Sequence, residues 1–201
     1  MQYLVIIKMI KTIIFDWGGV LAPADTEIAG KRLSDKFGCD FSKLKEKLAK
    51  YEKENSESSD YSMFLSKIKS EFEIPENEVM KALTEIPAWK GYELAKSLIG
   101  KYKLCILSDQ MQFKADYIKK NNDLSFFDPV LFSSEIGVQK PAKKAFQIML
   151  EKLQEPAEEC LFIDDREMNI KAAQGLGIHV IHCTDIDKLE NQLNKMLESN
   201  S

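Results

Sequence analysis

Several polar side chains, far apart in the chain, share one feature: they stand where an apolar run ends. Asp16 closes TIIFD, Ser108 closes KLCILS, and Asp164, with Asp165 after it, closes CLFID. Lys140 lies in EIGVQKPAKKAF, just ahead of a helix-period segment that Pro141 is suited to start. Short apolar runs of this kind read as buried strands. In open parallel sheets, ligands gather beyond the carboxyl ends of the strands. A carboxylate, a hydroxyl, an ammonium and an acid pair then meet in one crevice. That set suits attack on an anion.

The elements that must position these groups alternate. Strand-like runs fall at TIIFD, 103–108, 128–134, 160–164 and 177–182, with helical spacing near 92–101, 111–121, 142–154, 167–175 and 186–197. Strand–helix–strand order predicts an α/β fold, a Rossmann-like parallel sheet with helices on both faces. Residues 24–88 break the alternation. Their apolar positions repeat at helical spacing, which predicts four amphipathic helices, with Pro75 beginning the last and Pro87 ending it. The chain is therefore expected to form a core domain from 1–23 and 89–201, and an inserted four-helix cap from 24–88.

Composition narrows the partners. The chain has 201 residues, 44% of them apolar and 30% charged, with a net charge of −4. That balance gives no basic face for nucleic acid and no polybasic membrane signal. Arg32 and Arg166 are its two arginines, so anion binding falls mainly to lysines and backbone N–H groups. Four widely spaced cysteines with no CxxC pair predict reduced structural thiols. The apolar N-terminus is broken by Lys8 and Lys11, which argues against a spanning helix and for a cytoplasmic protein. Met9 is an alternative start. Nothing in the pattern sets the oligomeric state.

FDWGGVL, ILSD, GVQKP and FIDDREMNI, in that order, resemble the four motifs of the haloacid dehalogenase superfamily. The resemblance covers nearly the whole chain, residues 24–88 matching the helical cap that follows the first motif. It implies that Asp16 attacks phosphorus to give an aspartyl-phosphate. It also implies a Mg²⁺ site made by Asp16, the backbone carbonyl of Gly18 and Asp165, with Asp164 close by. Ser108 is then expected to bind a phosphoryl oxygen, and Lys140 to neutralise the phosphoryl group and steady Asp16. The backbone N–H groups of Trp17 and Gly18 are placed to hold transferring oxygens. Arg32 is a candidate substrate contact from the cap, since arginine suits bidentate anion recognition. Asn169 is expected to tie the metal loop together, His179 and His182 to be structural, and Arg166 to face solvent.

Gly18 departs from the usual pattern. Most phosphatases of this superfamily carry a second Asp there, which protonates the leaving group. The sequence resembles a branch with DxG in the first motif, near sugar-1-phosphate phosphatases and epoxide hydrolase amino-terminal domains. Three chemistries are compatible: a phosphatase of a small phosphorylated metabolite, a non-catalytic module that binds Mg²⁺ and phosphate, or a 2-haloacid dehalogenase. Asp109, where many relatives have Asn, adds a negative charge beside the expected anion site.

Overall fold

A computed structural model describes residues 9–87 and 89–199. The question of whether residues 1–8 form an extension before Met9 lies outside the described residues. Five parallel strands form one sheet in the order β3-β2-β1-β4-β5. They are β1 (Thr12–Phe15), β2 (Lys103–Ser108), β3 (Phe127–Phe132), β4 (Cys160–Asp164) and β5 (His179–His182). The central strand β1 pairs with β2 on one side and β4 on the other, Phe15 lying beside both Ile106 and Ile163. This register brings the ends of β1, β2 and β4 level, so Asp16, Ser108 and Asp164 emerge at one edge.

Alternation along each strand builds two apolar layers. Ile13 and Phe15 face one side with Leu104, Ile106, Leu161 and Ile163. Ile14 faces the other with Cys105, Leu107 and Phe162. The first layer is covered by α5 (Lys90–Ser97), α6 (Gln112–Asn121) and α10 (Ile186–Ser199), through Tyr92, Ala115, Leu189 and Leu193. The second is covered by α8 (Lys143–Leu153) and α9 (Glu167–Gln174), through Phe146, Met149 and Ile170. Every residue of β1 is buried, as expected for a strand with helices on both faces. Gly91 is needed at the start of α5: a Cβ there would lie 1.9 Å from the Val20 carbonyl oxygen.

Between β1 and α5 lie four helices: α1 (Asp25–Phe37), α2 (Phe41–Asn55), α3 (Ser62–Phe72) and α4 (Glu76–Thr84). Their apolar stripes meet in a third cluster around Leu33, Leu44, Leu48, Phe64, Ile68 and Val79. That cluster continues onto the first turn of α6, where Met111 and Phe113 join it, Phe113 lying 4.9 Å from the Tyr61 ring. The fold of the sheet and the four helices matches the reading from sequence.

Local boundaries differ, among them the strand expected at 177–182, which starts at His179, and the last helix of the insert, which ends at Thr84 rather than at Pro87. The run expected to stay extended through 134 ends at Phe132, because Ser133–Ile136 forms the short helix α7, closed by Gly137 in the left-handed region. The helix expected near 92–101 runs instead from Lys90 to Ser97 and gives way to turns before Gly100. Pro141 does not start α8. The Ala142 N–H bonds the Gln139 carbonyl at 3.1 Å, making a turn around Lys140, and the helix begins at Lys143. The buried thiols agree with a structural role: burial pushes Cys105 and Cys160 up to about 12. No helix among the described residues is long and apolar enough to cross a membrane.

One buried ionic group joins the helical insert to the sheet. Lys114 of α6, 3% exposed, ion-pairs with both Asp25 of α1 and Glu52 of α2. Burial lowers the affinity of Lys114 for its proton, but Asp25 and Glu52 outweigh that and hold it above the usual lysine range. Removing one partner of a buried ion pair leaves an uncompensated charge, at a cost of about 3–5 kcal/mol. Lys114→Met should lose stability of that order in urea unfolding at neutral pH. Lys31→Met, which breaks an exposed pair with Asp35, should change stability by less than about 1 kcal/mol. Equal effects would contradict the buried-anchor account.

Candidate active site

The site is built where β1, β2 and β4 end. Asp16 is 7% exposed and its Oδ1 is held twice, by the Trp17 N–H at 2.8 Å and by Lys140 Nζ at 3.0 Å. Among the described residues nothing binds its Oδ2. Lys140, 3% exposed, also reaches Asp164 Oδ2 at 2.7 Å. Burial disfavours its charge, but Asp16, Asp164 and Asp109 more than offset this and keep the ammonium protonated.

Asp164 is fully buried and its carboxylate is heavily used. Besides Lys140 it accepts the Arg166 N–H at 2.8 Å and the Asn169 side-chain amide at 3.0 and 3.1 Å. Asp165 is the opposite case: its Oδ1 is buried with no hydrogen-bond partner. Asp16, Asp164 and Asp165 each offer an oxygen within 4.8 Å of the other two. Burial, with Asp16 and Asp164 nearby, pushes the Asp165 carboxyl up to about 6. Three hard oxygen donors converging on a space with one donor atom orphaned fit a divalent cation.

Ser108 is 1% exposed and accepts two N–H groups on its oxygen, from Trp17 at 3.3 Å and from the Gln110 side chain at 3.2 Å. A hydroxyl that accepts twice has only its O–H left to give. The arrangement thus makes Ser108 a donor toward the crevice. Asp109, which raised a concern about charge, accepts the Lys140 backbone N–H at 3.0 Å. Burial pushes it up to about 6, with Lys140 opposing and Asp16 reinforcing the shift.

The two glycines after Asp16 differ in what they permit. Gly19 has φ +76°, and a Cβ there would lie 2.5 Å from Asp165 Oδ2. Gly18 has no such restraint, since a Cβ there would meet nothing within 4 Å. It lines the crevice, beside Asp16 and Asp165.

Arg32 is the site residue that the structure does not bring in. It is exposed, donates to the Glu85 carbonyl at 2.8 Å, and lies in a separate depression with Lys36 and Glu78. Helical periodicity placed it on α1 but not on which side of α1. Arg166, expected to face only solvent, lines the crevice instead. Asn169 ties Asp164 in place, and the histidines bond backbone carbonyls, His182 to Asp165 at 2.9 Å and His179 to Glu158 at 3.1 Å. Reading from sequence missed Asp25, Glu52, Gln110 and Lys114, which also line the crevice. One signal was present: Lys114 interrupts the apolar stripe Met111, Ala115, Ile118, where a lysine needs a buried partner.

A family model described as haloacid dehalogenase-like hydrolase matches residues 10–177. The chain belongs to that family. A predicted haloacid dehalogenase-like hydrolase from Porphyromonas gingivalis superimposes with a TM-score of 0.74 at 25% identity, covering 94% of this chain and 98% of its own. A family enzyme of Bacteroides thetaiotaomicron, solved as a magnesium complex, gives 0.70 at 26% identity, covering 87% and 93%. A sesquiterpene phosphatase of Aspergillus oryzae is 34% identical over 59 residues, 29% of this chain and 30% of that protein. The chain spans less than a third of the length of the curated relatives it matches.

The asymmetry between the glycines is testable in this hydrolase. Gly19→Ala should cost about 2 kcal/mol or more in chemical unfolding, through strain and the collision with Asp165. Gly18→Ala should stay within about 0.5 kcal/mol of the parent. Equal costs would show that Gly18 too is held by its backbone or its space.

Proposed function

We propose that this hydrolase is a Mg²⁺-dependent phosphatase of a small phosphomonoester, with Asp16 as nucleophile. The observation that carries the reading is the orphaned Asp165 Oδ1, buried beside the nucleophilic carboxylate at the sheet edge. The magnesium complex of the Bacteroides enzyme, at 26% identity, supports the choice of cation. Asp16, Asp165 and the backbone carbonyl of Gly18 would hold Mg²⁺, which supplies charge neutralisation for the phosphoryl group. Asp164 would then contribute by anchoring Lys140, because direct ligation would compete with its four existing bonds.

In this reading Asp16 Oδ2 attacks phosphorus as the ester P–O bond breaks, and the alcohol leaves with a proton from water. A second water then hydrolyses the aspartyl-phosphate to phosphate and Asp16. Meanwhile Oδ1 stays fixed by the Trp17 N–H and Lys140. Fixing one oxygen orients the other, and orientation is a large part of what phosphoryl transfer needs. Lys140 offsets the charge of the aspartyl-phosphate that forms, and the Ser108 O–H donates to a phosphoryl oxygen. The Trp17 N–H, expected from sequence to hold a transferring oxygen, is instead engaged by Asp16 and Ser108. The helices α1–α4 act as a cap whose residues Asp25, Glu52 and Ser56 complete the crevice wall.

No carboxylic acid stands at position 18 to protonate the leaving group. General acid–base help is worth roughly 10²–10⁴ in rate. Substrates with good leaving groups, such as acetyl phosphate, should therefore be hydrolysed much faster than alkyl phosphates. Asp16→Asn should abolish phosphate release, and surviving activity would remove the covalent mechanism. Gly18→Asp places its Cβ in open space and should raise kcat/KM for an alkyl phosphate by about tenfold or more. An unchanged alkyl rate would mean that another residue already supplies the proton. Mg²⁺ binding without turnover on any ester would favour the non-catalytic module.

A further inference from the structure

The crevice over Asp16 is small and polar. Its cavity is about 80 Å³. Pockets for larger apolar ligands are usually several hundred Å³ and lined by hydrophobic side chains. Here the helical side presents Asp25, Thr26, Glu52, Lys53 and Ser56, and the sheet side adds Gln110, Lys114, Gln139 and Arg166. Ala24 and Ala49 are the apolar side chains among the described lining residues, with no Leu, Ile, Val, Met or aromatic ring. An apolar leaving group within this crevice would gain little buried contact beyond Ala24 and Ala49 and would strip water from ionic groups.

Gln110 is distinctive within that lining. It is 4% exposed, its side-chain N–H bonds Ser108, and its Oε1 is buried without a partner. Its backbone N–H donates to Ser133 Oγ at 3.0 Å, and Ser133 in turn donates to the Ser56 carbonyl at 2.5 Å. The backbone of Gln110 is thus pinned by Ser133 and its side-chain amide by Ser108 alone, which leaves Oε1 unsatisfied beside the phosphoryl-binding hydroxyl. Rotating the amide by half a turn would let the Ser108 O–H bond Oε1 and leave the NH₂ without a partner. The orientation observed keeps that O–H free for a ligand and leaves an acceptor unsatisfied. A buried amide oxygen in this state favours a ligand that brings an O–H or N–H.

We propose that Gln110 is a specificity-determining residue that accepts a hydrogen bond from a hydroxyl of a short, hydrophilic leaving group, so that small polyol phosphates are substrates and terpenyl phosphates are not. This inference rests on the phosphatase reading. Only the choice of leaving group is new.

The test compares phosphate release from glycerol phosphate, n-propyl phosphate, farnesyl phosphate and acetyl phosphate, with Mg²⁺ present. Glycerol and propyl phosphate have similar size and similar leaving groups but differ in hydroxyls. The expected result is a kcat/KM for glycerol phosphate about tenfold to a hundredfold above propyl phosphate, with farnesyl phosphate slowest of all. Gln110→Met, which keeps the length and removes the acceptor, should bring the glycerol-to-propyl ratio close to one. Equal rates on the two short esters in the parent, faster release from farnesyl phosphate, or an unchanged ratio in Gln110→Met would overturn the proposal. The parent panel decides it even if the variant does not fold. Release from acetyl phosphate without discrimination between the short esters overturns this inference alone. Release from none of the four overturns the phosphatase reading with it.

Discussion

Lys140 carries a positive charge into a place with almost no water, 3.0 Å from Asp16 and 2.7 Å from Asp164. A buried ammonium is costly unless its partners are close and fully bonded, and Asp164 meets that condition through Asn169 and the Arg166 N–H. The pairing fixes which acid is spoken for. With Asp164 occupied by the lysine, Asp165 is left with an unpartnered oxygen beside Asp16. When all three acids are ionised, one ammonium leaves two negative charges unbalanced. At the effective dielectric of a protein site, charges about 4 Å apart repel by roughly 4 kcal/mol. A dication bound between these acids would offset that repulsion.

The same logic of shared charge joins the helical insert to the sheet. Lys114 stands on α6, yet its two partners come from α1 and α2. The apolar cluster of the insert likewise runs onto α6 through Met111 and Phe113. Packing alone would let four amphipathic helices settle in several registers on the strand ends. A buried cation that must find two particular carboxylates restricts that freedom, and the three side chains form part of the crevice wall. Positioning and lining are therefore done by the same groups.

The chemistry at the strand ends was legible in the sequence because strand periodicity is short and strict. Once TIIFD, KLCILS and CLFID are parallel strands in register, Asp16, Ser108 and Asp164 have nowhere to emerge but the same edge. Lys140 was legible from its motif as a loop residue ahead of a helix, although that helix begins at Lys143 and not at Pro141. Arg32 shows the opposite case: a helix has several faces, and spacing alone did not say which one met the crevice. Gln110 and Glu52 were illegible for a related reason. Glu52 matters through Lys114, far away in sequence, and no local pattern marks the Gln110 amide oxygen that the fold leaves without a donor.

The central claim is a division of labour between neighbouring acids, with Asp164 holding the lysine and Asp165 facing the cation. The most direct measurement is a crystal structure of the protein with Mg²⁺ and beryllium fluoride as a phosphoryl mimic on Asp16. The account predicts metal–oxygen contacts to Asp16 and Asp165 of about 2.0–2.1 Å, with the Lys140–Asp164 pair intact. A cation bound by Asp164 with Lys140 displaced, or one that touches neither Asp16 nor Asp165, would contradict it.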